Sequence, residues 1–444
     1  MNLRTTALRQ SSRAMCQSYE VSELVTDPGM TAERALDWLV DSAIATDAGL
    51  AWSDRHASQE IVANLYSGGA GIAMTFIEAY GHFDDDRFGD VATMAIRELT
   101  TQVDDVEHCS LYFGLTGMAV ALKAAHDVLG ISSAGSRATK ILELVRTRFD
   151  GERWSDQVEL LGGNAGIALG ALYVGDLDLA INAATPYLVR AQTTTCGVNW
   201  ENRVGTPARF HHISHGTLGI VEALAAVGAA AERQDLIDLA LAGAADVVSR
   251  NEAGDDAFLV PHSDPQHRPE LIERYSYGWC HGPTGDAQVF RLLAAVTGDS
   301  IWMSLAERCW QTVVTSGLPQ RLRPGFWDNS GRCCGTAGVL ALACDWHVET
   351  GADFDFAQLL IDDICTRATV DADGARWSNV EHRETPSNLE PRTGWAMGNA
   401  GIIRELLRSE RIKTGKTPNY FVAWPDQPPT GPQQLHLRTK PDPA

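Results

Sequence analysis

Asn329-Ser330-Gly331-Arg332-Cys333-Cys334-Gly335-Thr336-Ala337-Gly338 is the stretch on which the fold turns. Its closing Gly-x-x-Gly, with an apolar run behind it, recurs at Gly68/Gly71, Gly114/Gly117, Gly163/Gly166, Gly216/Gly219, Gly282/Gly285 and Gly398/Gly401, seven copies with Gly335/Gly338. The copies are spaced by roughly 45 to 65 residues, room for two helices and their loops in each unit.

The run after each pair reads as a helix apolar on most faces, as in Ile72-Ala73-Met74-Thr75-Phe76-Ile77 and Met118-Ala119-Val120-Ala121-Leu122. Such helices belong inside. Segments with one polar face lie between them, at 31–45, 87–103, 136–148, 236–249, 301–316 and 355–367, and read as outer helices. Seven inner and about seven outer helices bury their apolar faces by closing into a ring or by stacking as an open solenoid. The sequence therefore predicts an all-α protein, and of the two arrangements the α/α toroid. In a ring the inner helices all start at one end, so their glycine turns converge on a shared cavity. Glycine permits the close backbone approach needed there.

Two of those turns carry cysteine. Neighbouring cysteines do not readily close a disulfide with each other, but Cys333 and Cys334 can grip one soft metal ion if a third ligand arrives from elsewhere. Tyr277-Gly278-Trp279-Cys280-His281-Gly282-Pro283-Thr284-Gly285 supplies the candidate. The reading is a catalytic zinc site of Cys280, Cys333 and Cys334 with a fourth position open for a substrate thiol. Structural alternatives stand beside it: buried core cysteines, or a closed zinc site. His281 is the alternative ligand, and His211 and His212 either line the cavity or are exposed loop histidines. Cys16, Cys109, Cys196, Cys309, Cys344 and Cys365 lack the glycine context and read as core or surface residues.

The 444 residues carry 57 acidic against 36 basic side chains, a net charge of −21. Without a concentrated basic face such a chain repels polyphosphate, so no nucleic-acid partner is expected. Nine cysteines without framework spacing fit a reducing, cytoplasmic setting. No apolar run is long enough for a membrane span, and residues 1–12 show no secretory signal. The domain reading is one unit over 1–415 and a proline-rich tail over 416–444, with Tyr420-Phe421-Val422-Ala423-Trp424 as a docked aromatic piece and no chemistry assigned to it.

With the repeats and both cysteine motifs in hand, the sequence resembles the lanthionine synthetase C-like (LanC) family of peptide cyclases, from about residue 64 to 407. The resemblance is specific where Gly-Trp-Cys-His-Gly and Cys-Cys-Gly-x-x-Gly occur together. It implies an α/α toroid and one zinc ion, held here by Cys280, Cys333 and Cys334. Cys334 stands where many relatives have histidine, as in the family's three-cysteine subset. Three thiolates make a more electron-rich centre than two thiolates and an imidazole, so a bound thiol should keep more nucleophilic character.

The family's catalytic histidine, in a His-Gly-x-x-Gly turn, falls on His215, the candidate general acid/base; a helix-capping histidine is the structural alternative. The family aspartate of the third repeat falls on Glu159, one methylene longer, with Asp156 as a fallback and a solvated carboxylate as the plain alternative. The family arginine before the fifth-repeat cysteine has no match, Arg274 being nearest.

The resemblance implies Michael-type addition of peptide cysteine thiols to dehydroalanine or dehydrobutyrine, giving lanthionine or methyllanthionine rings in a ribosomal precursor peptide. The partners expected are that dehydrated peptide and separate dehydration enzymes, since the seven repeats leave no room for a dehydratase domain. Two other functions fit the same residues: addition of glutathione or another small thiol to dehydro-residues, and a non-catalytic subunit that binds peptide or dehydratase.

Overall fold

The computed structural model describes residues 27–320, 329–378 and 390–427. Residues 1–12, Cys16 and the part of the proline-rich tail from residue 428 lie outside them. Seven inner helices begin at the seven glycine pairs: α2 (Gly69–Phe83), α4 (Leu115–Leu129), α6 (Asn164–Val174), α9 (Thr217–Ala230), α11 (Pro283–Thr297), α13 (Thr336–Thr350) and α15 (Asn399–Lys413). Outer helices alternate with them: α1 (Pro28–Asp41), α3 (Asp86–Thr101), α5 (Ser132–Thr147), α7 (Leu177–Ala184) with the short α8 (Pro186–Arg190), α10 (Gln234–Val248), α12 (Ser300–Thr315) and α14 (Asp355–Arg367).

The ring closes. Each inner helix packs on the next, α15 packs on α2, and α1 lies against α15. The fold is therefore the α/α toroid and not an open solenoid. Outer helices bury one stripe, as α3 does with Phe88, Val91, Ala92, Ala95, Ile96 and Leu99, and Asp85 caps its start by accepting from Arg87 N at 2.9 Å. The fourth outer element, α7 with α8, is missing from the sequence reading because Pro186 breaks it into two short pieces, so no long amphipathic run betrays it. Among the described residues four two-stranded antiparallel sheets, such as Thr369–Asp371 with Gly374–Arg376, decorate the loops.

The glycine turns are joined by their backbones. Tyr66 N–H donates to Tyr112 O, Tyr112 to Leu161, Leu161 to Ser214, Ser214 to Cys280, Cys280 to Cys333, Cys333 to Ala396, and Ala396 back to Tyr66, all at 2.8–3.3 Å. This circular chain of hydrogen bonds fixes one residue per repeat, two positions before the first glycine. The first glycine of each pair is the helix N-cap and offers no side chain, so helix N–H groups bond to carbonyls seven residues upstream, as Thr336 N does to Asn329 O at 3.1 Å. The second glycine faces the preceding unit. A Cβ on Gly401 would stand 2.8 Å from Arg332 Cβ, and one on Gly285 2.6 Å from Ile213 Cγ2, so a side chain there would push adjacent units apart.

The interior of the ring is filled in part by the chain that follows α15. Trp424, fully buried, stacks on Trp395 at 4.7 Å, and Val422 and Asp426 are buried beside it. Arg404 of α15 lies 3.7 Å over the Tyr420 ring and donates to Val422 O at 2.7 Å, while Val422 N donates to Glu78 of α2 at 3.0 Å. Burial raises the Asp426 pKa, and the Arg332 guanidinium draws it back. The chain past α15 thus runs into the interior of the toroid, from Glu78 and Arg408 to the residues beneath the glycine turns.

Candidate metal and thiol site

Because the backbone ring places the residue two before each first glycine, Cys280 and Cys333 sit side by side on it, and Cys334 is the next residue of the sixth turn. The sulfurs of Cys280 and Cys334 are 3.2 Å apart and those of Cys333 and Cys334 are 3.5 Å apart. All three ligand atoms lie within 4.8 Å of one another, and among the described residues this is the one cluster of histidine, cysteine or carboxylate donors that converges so. The cysteines are free thiols. Sulfurs bound to one tetrahedral zinc at about 2.3 Å stand about 3.8 Å apart, so small side-chain shifts would seat an ion. The donor set suits a soft or borderline metal.

Without a metal the trio shares its protons unevenly. The thiols of Cys280 and Cys334 donate to Cys333 and lower its pKa, and the same contact with Cys333 raises that of Cys280. Metal binding releases these protons. Cys280 and Cys333 are buried, and Cys334 is half-buried.

His215 occupies in the fourth turn the position that Cys334 has in the sixth, one before the first glycine. Its Nδ1 lies 3.2 Å from Oε1 of Glu159, whose carboxylate is wholly buried. The other Glu159 oxygen accepts from Leu161 N at 2.7 Å, and among the described residues neither Nδ1 nor Oε1 has another partner. The structure thus brings together His215 and Glu159, while Asp156 is exposed and faces Arg153. Arg274 is also peripheral, paired with Glu252.

The remaining histidines do not join the sulfurs. His281 packs its ring on His262 at 4.1 Å and on His215 at 5.5 Å, and burial keeps it neutral. His212 is not an exposed loop residue. Its Nδ1 lies 2.9 Å from Asp286 of α11, both side chains wholly buried, which ties the fourth and fifth units together. His211 is buried too. Below the sulfurs, Arg332 bonds to Glu405 at 3.0 Å and lies over the Trp279 and Trp395 rings.

The family model for lanthionine synthetase C-like proteins matches residues 60–270 and 264–361, through six of the seven glycine pairs and both cysteine turns. The chain belongs to the lanthionine synthetase C-like protein family. No curated protein sequence matches this LanC-like chain significantly. Among solved structures, nisin cyclase superposes with a TM-score of 0.63 at 14% identity, covering 89% of this chain and 95% of that one. The Lin0763 protein of Listeria innocua gives 0.51 at 13% identity, over 88% and 99%. An inactive variant of the α-1,6-mannanase GH76A of Salegentibacter sp. HEL1_6 gives 0.50 at 10%, over 87% and 99%. These likenesses are likenesses of fold. Among the described residues no helix of the LanC-like chain is long and apolar enough to cross a membrane.

Sequence reasoning missed Tyr66, Asp286 and His262. Tyr66 was within reach, since it stands two before Gly68 as Cys280 and Cys333 stand two before Gly282 and Gly335. His262 sits in a long loop without periodicity and gave no signal.

Proposed function

We propose that this LanC-like protein is a zinc-dependent lanthionine synthetase, joining cysteine thiols to dehydroalanine or dehydrobutyrine in a ribosomal precursor peptide. The observation that carries the reading is the convergence of three sulfurs beside the pair of His215 and the buried Glu159 carboxylate. Zinc held by Cys280, Cys333 and Cys334 would lower the pKa of an incoming thiol from about 8.5 and present it as a thiolate.

The chain's own residues do the rest. The peptide is taken to approach from the side on which Cys334 and His215 keep part of their surface exposed. Glu159 faces His215 Nδ1 at 3.2 Å and so orients the ring, leaving Nε2 as the nitrogen that serves the substrate. As sulfur bonds to the β-carbon, the π pair moves onto the α-carbon and carbonyl as an enolate. His215 returns a proton to the α-carbon, and the proton lost by the thiol restores the imidazolium. The cyclase unit is assigned to 1–415, with the chain that follows running into its interior. Separate dehydration enzymes supply the dehydro-residues, in the cytoplasm.

The test is incubation of the purified protein with a dehydrated cysteine-containing peptide, then thiol alkylation and mass spectrometry. Protection of the peptide thiols with no change in mass supports the cyclase. Thiols left free in the peptide, with glutathione adding instead, would move the assignment to small-thiol addition. Binding without any thiol consumption would reduce the protein to a peptide-holding subunit.

A further inference from the structure

Three cysteines pose an electrostatic problem that two cysteines and a histidine do not. A zinc ion with three thiolates carries one net negative charge before any substrate binds and two after a substrate thiolate joins it. Buried excess charge is costly unless donors disperse it. Around metal sites that task falls to groups that hydrogen-bond to the ligand atoms.

Among the described residues Tyr66 is such a donor. Tyr66 Oη lies 3.5 Å from Cys333 Sγ, a hydrogen bond by sulfur's longer standard. A phenol, with its pKa near 10, holds its proton at neutral pH and donates. Among the described residues Cys333 is the hydroxyl's one hydrogen-bond partner.

The placement is built into the ring. Tyr66 occupies in the first unit the position that Cys280 and Cys333 occupy in the fifth and sixth, and its backbone is held from both sides, donating to Tyr112 O and accepting from Ala396 N. The unit between Tyr66 and Cys333 presents Ala396, whose side chain is a methyl, so a tyrosine can reach across. The ring is braced by Phe113 at 5.2 Å and edge-on by Tyr112 at 6.2 Å. A braced ring with a fixed backbone leaves the hydroxyl little freedom to point elsewhere.

We propose that Tyr66 is a positioning residue of the sulfur site, its hydroxyl hydrogen-bonding to the Cys333 thiolate and withdrawing charge from it. The inference rests on the zinc reading of the three cysteines. It gives the site a counterweight to the cysteine at position 334, tempering an electron-rich donor set while leaving the fourth position open. A hydrogen bond to a charged sulfur of this kind is worth roughly a tenfold change in reactivity.

The experiment compares the whole wild-type chain with Tyr66→Phe, each loaded with zinc or with cobalt(II) as a spectroscopic probe. Metal content, the sulfur-to-cobalt charge-transfer band and the rate at which iodoacetamide alkylates Cys333 in the zinc form are measured. The expected result is unchanged metal content, a band moved to longer wavelength, and Cys333 alkylation faster by roughly tenfold. Phe113→Leu, which loosens the ring but keeps the hydroxyl, should move the band less than Tyr66→Phe does, and a shift as large as that of Tyr66→Phe would count against the hydroxyl as its cause. Tyr66→Met also lacks a donor and should shift the band the same way, so it carries the test if the phenylalanine variant does not fold. A metal-loaded Tyr66→Phe protein with the wild-type band and alkylation rate overturns the proposal while leaving the zinc reading intact. A wild-type chain that takes up neither metal overturns both.

Discussion

Cys280 and Cys334 are 54 positions apart in the chain and 3.2 Å apart at sulfur, in adjacent turns of a closed backbone ring. The relationship makes metal affinity a property of two turns at once. Cys334→His, which replaces one thiolate by an imidazole, should keep the metal and slow thiol addition, because the bound thiol then sits on a less electron-rich centre. Single-turnover rates at equal metal content check this. An equal or faster rate would mean that the third thiolate does not set nucleophilicity.

His215→Ala removes the proposed proton donor without touching a sulfur. Loss of general acid–base catalysis costs about 10²–10⁴-fold in kcat, and metal content should stay at the wild-type level. Glu159→Gln keeps the shape but not the charge and should cost less, with Glu159→Asp giving part of it back. Steady-state kinetics beside metal analysis separate the two residues from the metal site.

Trp424→Ala tests whether the interior of the toroid depends on the chain past α15. Trp424 is wholly buried against Trp395, and truncating such a side chain costs about 3–5 kcal/mol. Urea unfolding should show that loss in the midpoint. A midpoint within experimental error of wild type would mean that residues 418–427 are not part of the folded core.

Acid should destabilise the protein well above the carboxylate range. His82 is held down to about 4, His262 to about 3 and His211 to about 2, in each case by burial first and then by neighbouring positive or protonatable groups. An unfolded histidine titrates near 6.5, so below that pH the unfolded chain takes up protons that the folded chain refuses. Stability is therefore full above about pH 6.5 and falls as pH drops towards about 3. Asp37, raised to about 6 by burial, works the other way between about 6 and 3.8, as do Asp54, Asp286 and Asp426, against the three histidines and the likewise lowered His267 and His281. Urea midpoints at about pH 7 and about pH 4.5 check the sign, and a higher midpoint in acid would contradict it.

Much of the architecture was legible in the sequence, for physical reasons. Glycines at Gly335 and Gly338 and their six counterparts announce helix starts against close-packed neighbours, and the all-apolar runs after them announce interior helices. The alternation of inner and outer helices fixed the class, and the closure of α15 on α2 agrees with it. Cys280, Cys333 and Cys334 were readable because equivalent turns bring equivalent positions together. The fourth outer element was hidden by Pro186. The burial of Arg404, Arg408 and Arg411 was also hidden, since charge on a final helix ordinarily reads as a solvated face. Their partners, Tyr420, Asp345 and Glu78, come from distant positions that no local pattern connects.

The central claim is that the three cysteines hold a metal needed for thioether formation. Elemental analysis of wild type and Cys333→Ala, run with the cyclisation assay on the same preparations, tests it most directly. The account predicts about one zinc per wild-type chain, and loss of both zinc and ring formation in the variant. Wild-type protein free of zinc when purified without chelators, or full cyclisation by the metal-free variant, would contradict it.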